Sequence, residues 1–549
     1  MDKIYQNFIS VLVLILLMVA VILQHLDFSR GTFGPEEASP TYLNCIPLSK
    51  YRKYCGIQKV TVRFDTCLDA PIKIRYLFLN RDAEEKTVAS GSREFVIDHG
   101  DVIVILPQSD GLKGTVEADV ESVRDVRLEH VVCTYHREKE ALDRIDLFRK
   151  VRLKNYHMTM VDNGSTIEAD EDDIISIVRS PNLGGSSGFA RGMAIGLERK
   201  STHILLNDDD AYLNPESVFR TIQFLSVVLP EYEEYSISGV FLDIDNPNRV
   251  REIGGLFRKG NRTILKNGAD ISTEKGIISI SEEQHIDYSS WTCCCIPSSV
   301  VEECGLPLPL FVSFDDTEYG LRLKGRFIVI PGITTWHQSY YSYPLRHRYY
   351  DMRNRLVAAA CSGGLDRESI NNMFDSILSE IAAYRYDCSE EMIKGVYDFM
   401  KGPEYVFGSC TGGMHKTERL ELEESEKLRE TLRFFDRNTS QSKESRFYTM
   451  NGLILPALGD IELDRCETET SVFYRVRKVL YASEGSRGLI RKRSLYQSIR
   501  LVMKTSMAKR KVMSKADRLN LDYKLAFTVC ISKEQWDKLW SDYVKPSIL

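Results

Sequence analysis

The chain has 549 residues, 43% of them hydrophobic and 27% charged, with 72 Lys and Arg against 78 Asp and Glu for a net charge of −6. Such values describe a packed protein of three or four domains. They exclude a disordered chain, a collagen-like repeat and a small disulfide scaffold. The thirteen cysteines form no CxxC pair. That argues against a zinc site built from Cys pairs and predicts thiols that are mostly reduced and buried, as in the cytoplasm.

In chain order, Phe8 to Leu23 is a run of sixteen residues without a charge. It predicts a single-pass N-terminal membrane anchor over residues 1–28, with a signal peptide as the second choice. Lys3 before it and Arg30 after it leave the orientation open. Residues 29–41, rich in Gly, Pro and Glu, predict a linker. Residues 42–127 hold short alternating runs, such as Val60-Thr61-Val62-Arg63-Phe64, that predict a β-sandwich domain. From residue 128 to 345, short apolar strands alternate with longer amphipathic stretches, which predicts an α/β domain with a mostly parallel, Rossmann-like sheet. Residues 346–549 predict a helical C-terminal domain. Between Arg475 and Arg518 it carries fourteen Lys or Arg against two acids, Glu484 and Asp517. The expected role is a basic surface facing an anionic membrane. An ordinary solvated helix face is the plain alternative, and no recognition motif supports nucleic-acid binding.

Four segments carry chemistry. Asn207-Asp208-Asp209-Asp210 follows the strand His203-Ile204-Leu205-Leu206. Carboxylates at the end of a parallel strand face the ligand crevice, and Asp208 and Asp210, two apart on extended backbone, can share one Mg²⁺ or Mn²⁺. Helix capping would need only one of the three acids. Asn182-Leu183-Gly184-Gly185-Ser186-Ser187-Gly188 opens a helix after a strand, where glycines allow close backbone approach and the helix start favours an anion. An ordinary strand–turn–helix junction would explain it equally well. Phe314-Asp315-Asp316-Thr317-Glu318 places two acids where an apolar run meets a helix, giving either a general base or a capping box. Trp336-His337 follows another strand, and the His becomes a ligand candidate only beside the aspartates.

Taken in order with Arg137, Asp162-Asn163-Gly164, Trp291 before Cys293-Cys294-Cys295, and the run Met352 to Ala360, these segments resemble the family 2 glycosyltransferases of the GT-A fold. Within them they resemble the galactofuranosyltransferases of bacterial cell-wall galactan, over roughly residues 125 to 365. The resemblance implies a GT-A domain between a β-sandwich and a helical domain. It implies transfer from UDP-galactofuranose to a cell-surface glycan or lipid-linked glycan with inversion. Mn²⁺ or Mg²⁺ would be held by Asp208, Asp210 and His337. Arg137, Asp162, Asn182, Gly184, Gly185 and Asp209 would line the nucleotide site. Asp316 would be the base, and Glu252, Trp291, Asp315 and Trp336 would meet the acceptor. A homo-oligomer fits the same picture. One departure is that Thr292 follows Trp291 where the family carries a second Trp. A different nucleotide sugar (rhamnosyl or galactopyranosyl) and an inactive carbohydrate-binding protein are the alternatives; UDP release with UDP-galactofuranose, Mn²⁺ and a glycan acceptor, and the products formed from a panel of nucleotide sugars, separate them.

Overall fold

The computed structural model describes residues 24–32, 45–106, 112–338, 345–408, 415, 423–434, 448–449, 451–464, 475–482 and 487–543. The β-rich region forms two four-stranded antiparallel sheets. One orders the strands Gln24–Thr32, Lys113–Val120, Val60–Phe64 and Glu94–Ile97; the other orders Cys45–Ile46, Val102–Leu106, Ile72–Leu77 and Glu84–Val88. Alternation decides which face is covered: Val60, Val62 and Phe64 are buried while Thr61 and Arg63 are not. Side chains of both sheets enter one apolar cluster that continues into Leu128, Val132, Phe148 and Val218 of the α/β domain. The shared core does not set off residues 42–127 as a separate β-sandwich domain.

The N-terminal expectation needs correction. Residues 8–23 lie outside the described residues. Gln24–Thr32, expected to be the anchor's edge and the start of a linker, is a strand registered from Gln24 opposite Val120 to Thr32 opposite Lys113. Its backbone is committed to an antiparallel ladder, and it carries His25, Asp27 and Arg30. Among the described residues no helix is long and apolar enough to cross a membrane. The single-pass N-terminal anchor is therefore not supported, and with it the expected membrane placement of the chain.

The α/β domain is built on a nine-stranded sheet. Its order is Ile175–Arg179, Tyr156–Asp162, Leu128–Thr134, His203–Asp208, Cys294–Pro297, Ser236–Asp243, Phe327–His337 and Tyr212–Leu213, with Val250–Glu252 paired to Ser236–Asp243. The first four strands are mutually parallel. Cys294–Pro297 runs antiparallel between its neighbours, and Ser236–Asp243 is parallel to Phe327–His337. The three consecutive cysteines thus lie in or beside a buried central strand, and the described cysteines are free thiols. Thr134, Asp162, Asp208, Asp243 and His337 end their strands at one edge of the sheet. That edge is where an open α/β sheet binds ligands.

Beyond residue 345 the chain is not wholly helical. The helices Leu345–Ser362, Arg367–Ala382, Tyr386–Phe399 and Leu495–Cys530 share a core. A four-stranded sheet of Glu423–Glu424, Arg487–Lys492, Val476–Ala482 and Gly459–Asp464 accompanies them. The basic tract is divided between that sheet and the long helix, and several of its charges meet acids from elsewhere. Arg477 pairs with Asp460, Arg491 with Asp387, and Arg500 and Lys504 with Glu390. This pairing replaces the expected free cationic surface with one that is partly neutralised. The last helix, Lys533–Tyr543, returns to the α/β domain. Trp536 Nε1 donates to the Pro307 carbonyl at 2.9 Å and Trp540 Nε1 to Ser187 Oγ at 3.0 Å.

Candidate active site

The turn after His203–Asp208 brings the three aspartates to the sheet edge. Asp210 is held from two sides, its Oδ1 2.9 Å from His337 Nε2 and its Oδ2 2.8 Å from Arg137 Nη1. Arg137 precedes the helix Glu138–Val151 and also faces Asp209 at 3.8 Å. Burial pushes Asp208 up to about 7, with Asp210 adding to it. Burial and Asp210 likewise push Asp209 up to about 6, against the pull of Arg137. For Asp210 burial is outweighed by His337 and Arg137, which hold its carboxyl below the usual range. Burial opposes a charge on His337, yet its hydrogen bond to Asp210 raises its pKa.

The expected metal trio is only partly assembled. Asp210 and His337 meet, but among the described residues no group of three or more His, Cys, Asp or Glu stands at metal-holding distances. His337 and Arg137 take the two Asp210 oxygens that a cation would use. The donor set still suits a hard dication. It offers three crowded carboxylates, two with pKa values raised by burial and mutual repulsion, beside one imidazole.

The Gly-rich turn has a different partner from the one its sequence suggests. Gly184 has φ +88°, and a Cβ there would lie 2.0 Å from the Phe311 carbonyl oxygen. Asn182 caps the turn, its Oδ1 accepting from Gly184 N at 3.1 Å. Ser186 N donates to Phe311 O at 3.3 Å, and Phe311 N donates to Ser186 Oγ at 3.0 Å. Gly184 and Gly185 therefore seat the loop that carries the second acidic pair. Asp162 is also spent on backbone: its oxygens accept from Gly164 N at 2.9 Å and Ile167 N at 2.7 Å. It shapes the turn rather than offering a free carboxylate.

That loop, residues 310–314, places Phe311, Ser313 and Phe314 at φ of 73°, 65° and 68°. Non-glycine residues rarely adopt this conformation, and three together need outside support. Asn354 supplies it, its Nδ2 donating to the carbonyls of Leu310, Val312 and Ser313 at 3.1, 2.9 and 2.8 Å. Arg353 adds a bond to Leu310 O at 2.8 Å. The run Met352 to Ala360 thus shapes the loop before Asp315–Arg322.

Asp315 and Asp316 open that helix. Burial pushes Asp315 up to about 8, with Asp316 and Asp208 adding to it, so the two acidic groups share one field. Burial also raises Asp316, against the pull of Arg262 and of the Thr317 N–H. Thr317 N donates to Asp316 Oδ1 at 2.6 Å. Glu252 is 8% exposed and its Oε1 has no hydrogen-bond partner. Burial, then Asp316, pushes it up to about 8, against Arg262.

The two tryptophans part company. Trp291 is 4% exposed and packs edge-on between Phe189 and Tyr319, with centroids at 4.9 and 5.9 Å. It is a core residue, so the expected flat face for a sugar is not presented; its carbonyl accepts from Asp208 N at 3.1 Å. Trp336 is half-buried, with Nε1 donating to Pro247 O and its ring 6.0 Å from that of the exposed Tyr212.

Sequence reading missed Arg262 and Arg144. Arg262 lies between Asp351, which it bonds at 3.0 Å, and the Phe314 ring, 4.2 Å away. No local pattern marks it. Arg144 had a signal, since it shares an otherwise apolar helix face with Ala141, Ile145 and Phe148.

No family model matches the chain. Galactofuranosyltransferase GlfT2 of Mycolicibacterium smegmatis is 29% identical over 268 residues, covering 45% of this chain and 41% of that protein. Galactofuranosyltransferase GlfT2 of Mycobacterium tuberculosis is 25% identical over 452 residues, covering 70% of this chain and 68% of that protein. The chain is a relative of galactofuranosyltransferases, enzymes of the glycosyltransferase class. Among solved structures, a Pyrobaculum calidifontis mannosyltransferase in complex with GDP-Man and Mn²⁺ matches with 11% identity and a TM-score of 0.29, over 52% of this chain and 79% of that one. Residues 1–349 of S. aureus TarS match with 12% identity and a TM-score of 0.32, over 52% and 83%. Scores that low carry no weight for the fold, which rests on the sheet order above. Neither these relatives nor the described residues support the membrane and homo-oligomer partners expected from the sequence.

Proposed function

We propose that the chain is an inverting glycosyltransferase of GT-A type that moves galactofuranose from UDP-galactofuranose to a hydroxyl of a glycan. The observation that carries this reading is the meeting of two acidic groups with different surroundings at one sheet edge. Asp208, Asp209 and Asp210 sit with Arg137 and His337, while Asp315, Asp316 and Glu252 sit with Arg262. Asp315 feels both Asp316 and Asp208. The first group suits a diphosphate and its counter-cation; the second suits a hydroxyl that must lose a proton.

Asp208, Asp210 and His337 would hold Mn²⁺ or Mg²⁺, which when bound supplies charge neutralisation for the diphosphate leaving group. Arg137, already against Asp209 and Asp210, would release Asp210 and bind the diphosphate. Asp316 takes the proton from the acceptor hydroxyl as its oxygen bonds to the anomeric carbon. The bond from that carbon to the diphosphate oxygen breaks, and UDP departs with the electron pair. One displacement with one base gives inversion. Asp315 and Glu252 would hold neighbouring hydroxyls of the acceptor, and a neutral Glu252 can donate as well as accept.

The test is release of the nucleoside diphosphate (UDP or dTDP) from a panel of UDP-galactofuranose, UDP-galactopyranose and dTDP-rhamnose, with Mn²⁺ and a galactan-type acceptor. Turnover of UDP-galactofuranose well above the others is the expected result. Preference for another donor would replace the donor assignment. No turnover of any would favour a carbohydrate-binding protein.

A further inference from the structure

We propose that Arg144 is a positioning residue that sets the Asp208–Asp210 pair for a divalent cation; this rests on the metal reading above. The Arg144 guanidinium is buried beneath the aspartate turn. Its Nη1 donates to the Asp208 carbonyl at 3.0 Å and to Asn207 Oδ1. Its Nη2 donates to the carbonyls of Asp209 at 3.1 Å and Ala211 at 2.6 Å. All four acceptors lie within residues 207–211, the stretch whose side chains make up the candidate diphosphate site. An arginine that merely filled a core gap would have no reason to collect four acceptors from five consecutive residues.

Asn207 completes the clamp. Its Nδ2 donates to the Thr292 carbonyl at 2.5 Å and the Ala211 carbonyl at 3.3 Å, and its Oδ1 also faces His130 Nε2 at 3.3 Å. The turn is thereby tied to the helix Glu138–Val151, the strand Leu128–Thr134 and the segment beside Trp291. A planar guanidinium fixes the spacing of several oxygens at once, which a lysine ammonium on a flexible stem does not. Arg137 and Arg144 divide the work: Arg137 touches the carboxylates, and Arg144 touches only the backbone and Asn207 that aim them. Its buried charge also offsets the repulsion among the three carboxylates. Groups that orient metal ligands without touching the metal commonly alter affinity by about 10–100-fold.

The experiment uses the full chain with Arg144→Met and Arg144→Lys. Binding of Mn²⁺ alone, without nucleotide or sugar, is followed by the electron paramagnetic resonance signal of free Mn²⁺, and circular dichroism checks the fold. Arg144→Met should weaken Mn²⁺ binding by at least about tenfold. Arg144→Lys should fall between it and the wild type, with kcat recovering toward wild type at saturating Mn²⁺ while the Mn²⁺ requirement stays raised. A merely structural arginine would lower thermal stability and kcat and leave Mn²⁺ affinity alone, which would overturn the proposal. If Arg144→Met does not fold, Arg144→Lys decides by the same reading. If the wild type itself does not bind Mn²⁺, the metal reading fails together with this one. If the wild type binds and both variants bind equally well, only the role of Arg144 fails.

Discussion

Asp316 and Glu252 differ in what they have to spend. Asp316 has the positive field of Arg262 and a hydrogen bond from the Thr317 N–H, which support the charged form against burial. Glu252 is deeper and one oxygen is unpartnered. Asp316→Asn should therefore cut transfer by about 10²–10⁴-fold, the usual contribution of a general base, while UDP binding measured by calorimetry stays near normal. Glu252 makes a prediction about pH. Its folded pKa, about 8, lies above the ordinary 4.5, so the stability it contributes is full below pH 4.5 and is lost as pH rises through about 8. Asp316, Arg262 and Tyr288 are the charged or titratable groups facing it. Between those pH values the wild-type melting temperature should fall faster with pH than that of Glu252→Gln. Parallel curves would show that Glu252 is ionised throughout. Metal removal belongs at this scale as well. Treatment with EDTA should abolish turnover and added Mn²⁺ should restore it, and Asp210→Ala should not be restored by Mn²⁺. Full turnover in EDTA would remove the cation from the account.

Among the elements, the loop 310–314 has the largest consequence, because both the Gly-rich turn and Asn354 hold it. Gly184→Ala puts a carbon against the Phe311 carbonyl and asks an alanine to hold φ +88°. The loop must shift, and Asp315 and Asp316 shift with it. The expected outcome is a kcat loss of well over tenfold with the Mn²⁺ affinity of the aspartate turn preserved. Asn354→Ala takes a donor from the Val312 and Ser313 carbonyls, while Leu310 O keeps Arg353, and should cost about 1–3 kcal/mol for each one left buried and unsatisfied, read from denaturant melts. What the sequence disclosed at this scale follows from how local each signal is. Asp208–Asp210 was readable because an apolar strand and three acids are contiguous. The Gly184-Gly185 turn was located correctly, but its service to Phe311 spans more than a hundred residues and no spacing rule reaches that far. Trp291 was expected at the acceptor from the family resemblance alone, and nothing in its local sequence signals burial; Phe189 and Tyr319, which enclose it, come from other helices. The strand Gln24–Thr32 is polar and contains Gly31, so it read as the anchor's edge and the start of a linker, and only its pairing with Lys113–Val120 makes it a strand.

Over the whole molecule, the α/β sheet and its edge were legible from the alternation of short apolar strands and amphipathic stretches. The antiparallel insertion of Cys294–Pro297 and the core shared with the β-rich region were not, since both are set by packing between distant segments. The C-terminal end shows how far the parts depend on one another. Trp536 is fully buried and Trp540 bonds Ser187 in the helix that follows the Gly-rich turn. Trp536→Ala should cost about 3–5 kcal/mol, as for other large buried side chains, and should lower activity as well as stability because its helix braces the turn that seats Asp315 and Asp316. A variant that melts early yet keeps full activity at low temperature would separate that brace from the site. The central claim is tested most directly by the anomeric configuration of the product. Incubated with UDP-galactofuranose, Mn²⁺ and a glycan acceptor, the wild-type chain should release one UDP per sugar added and give a new galactofuranosyl linkage inverted at the anomeric carbon by NMR, with Asp316→Asn giving neither above background. Retention of configuration, or full transfer by Asp316→Asn, would contradict the single displacement assigned to this site.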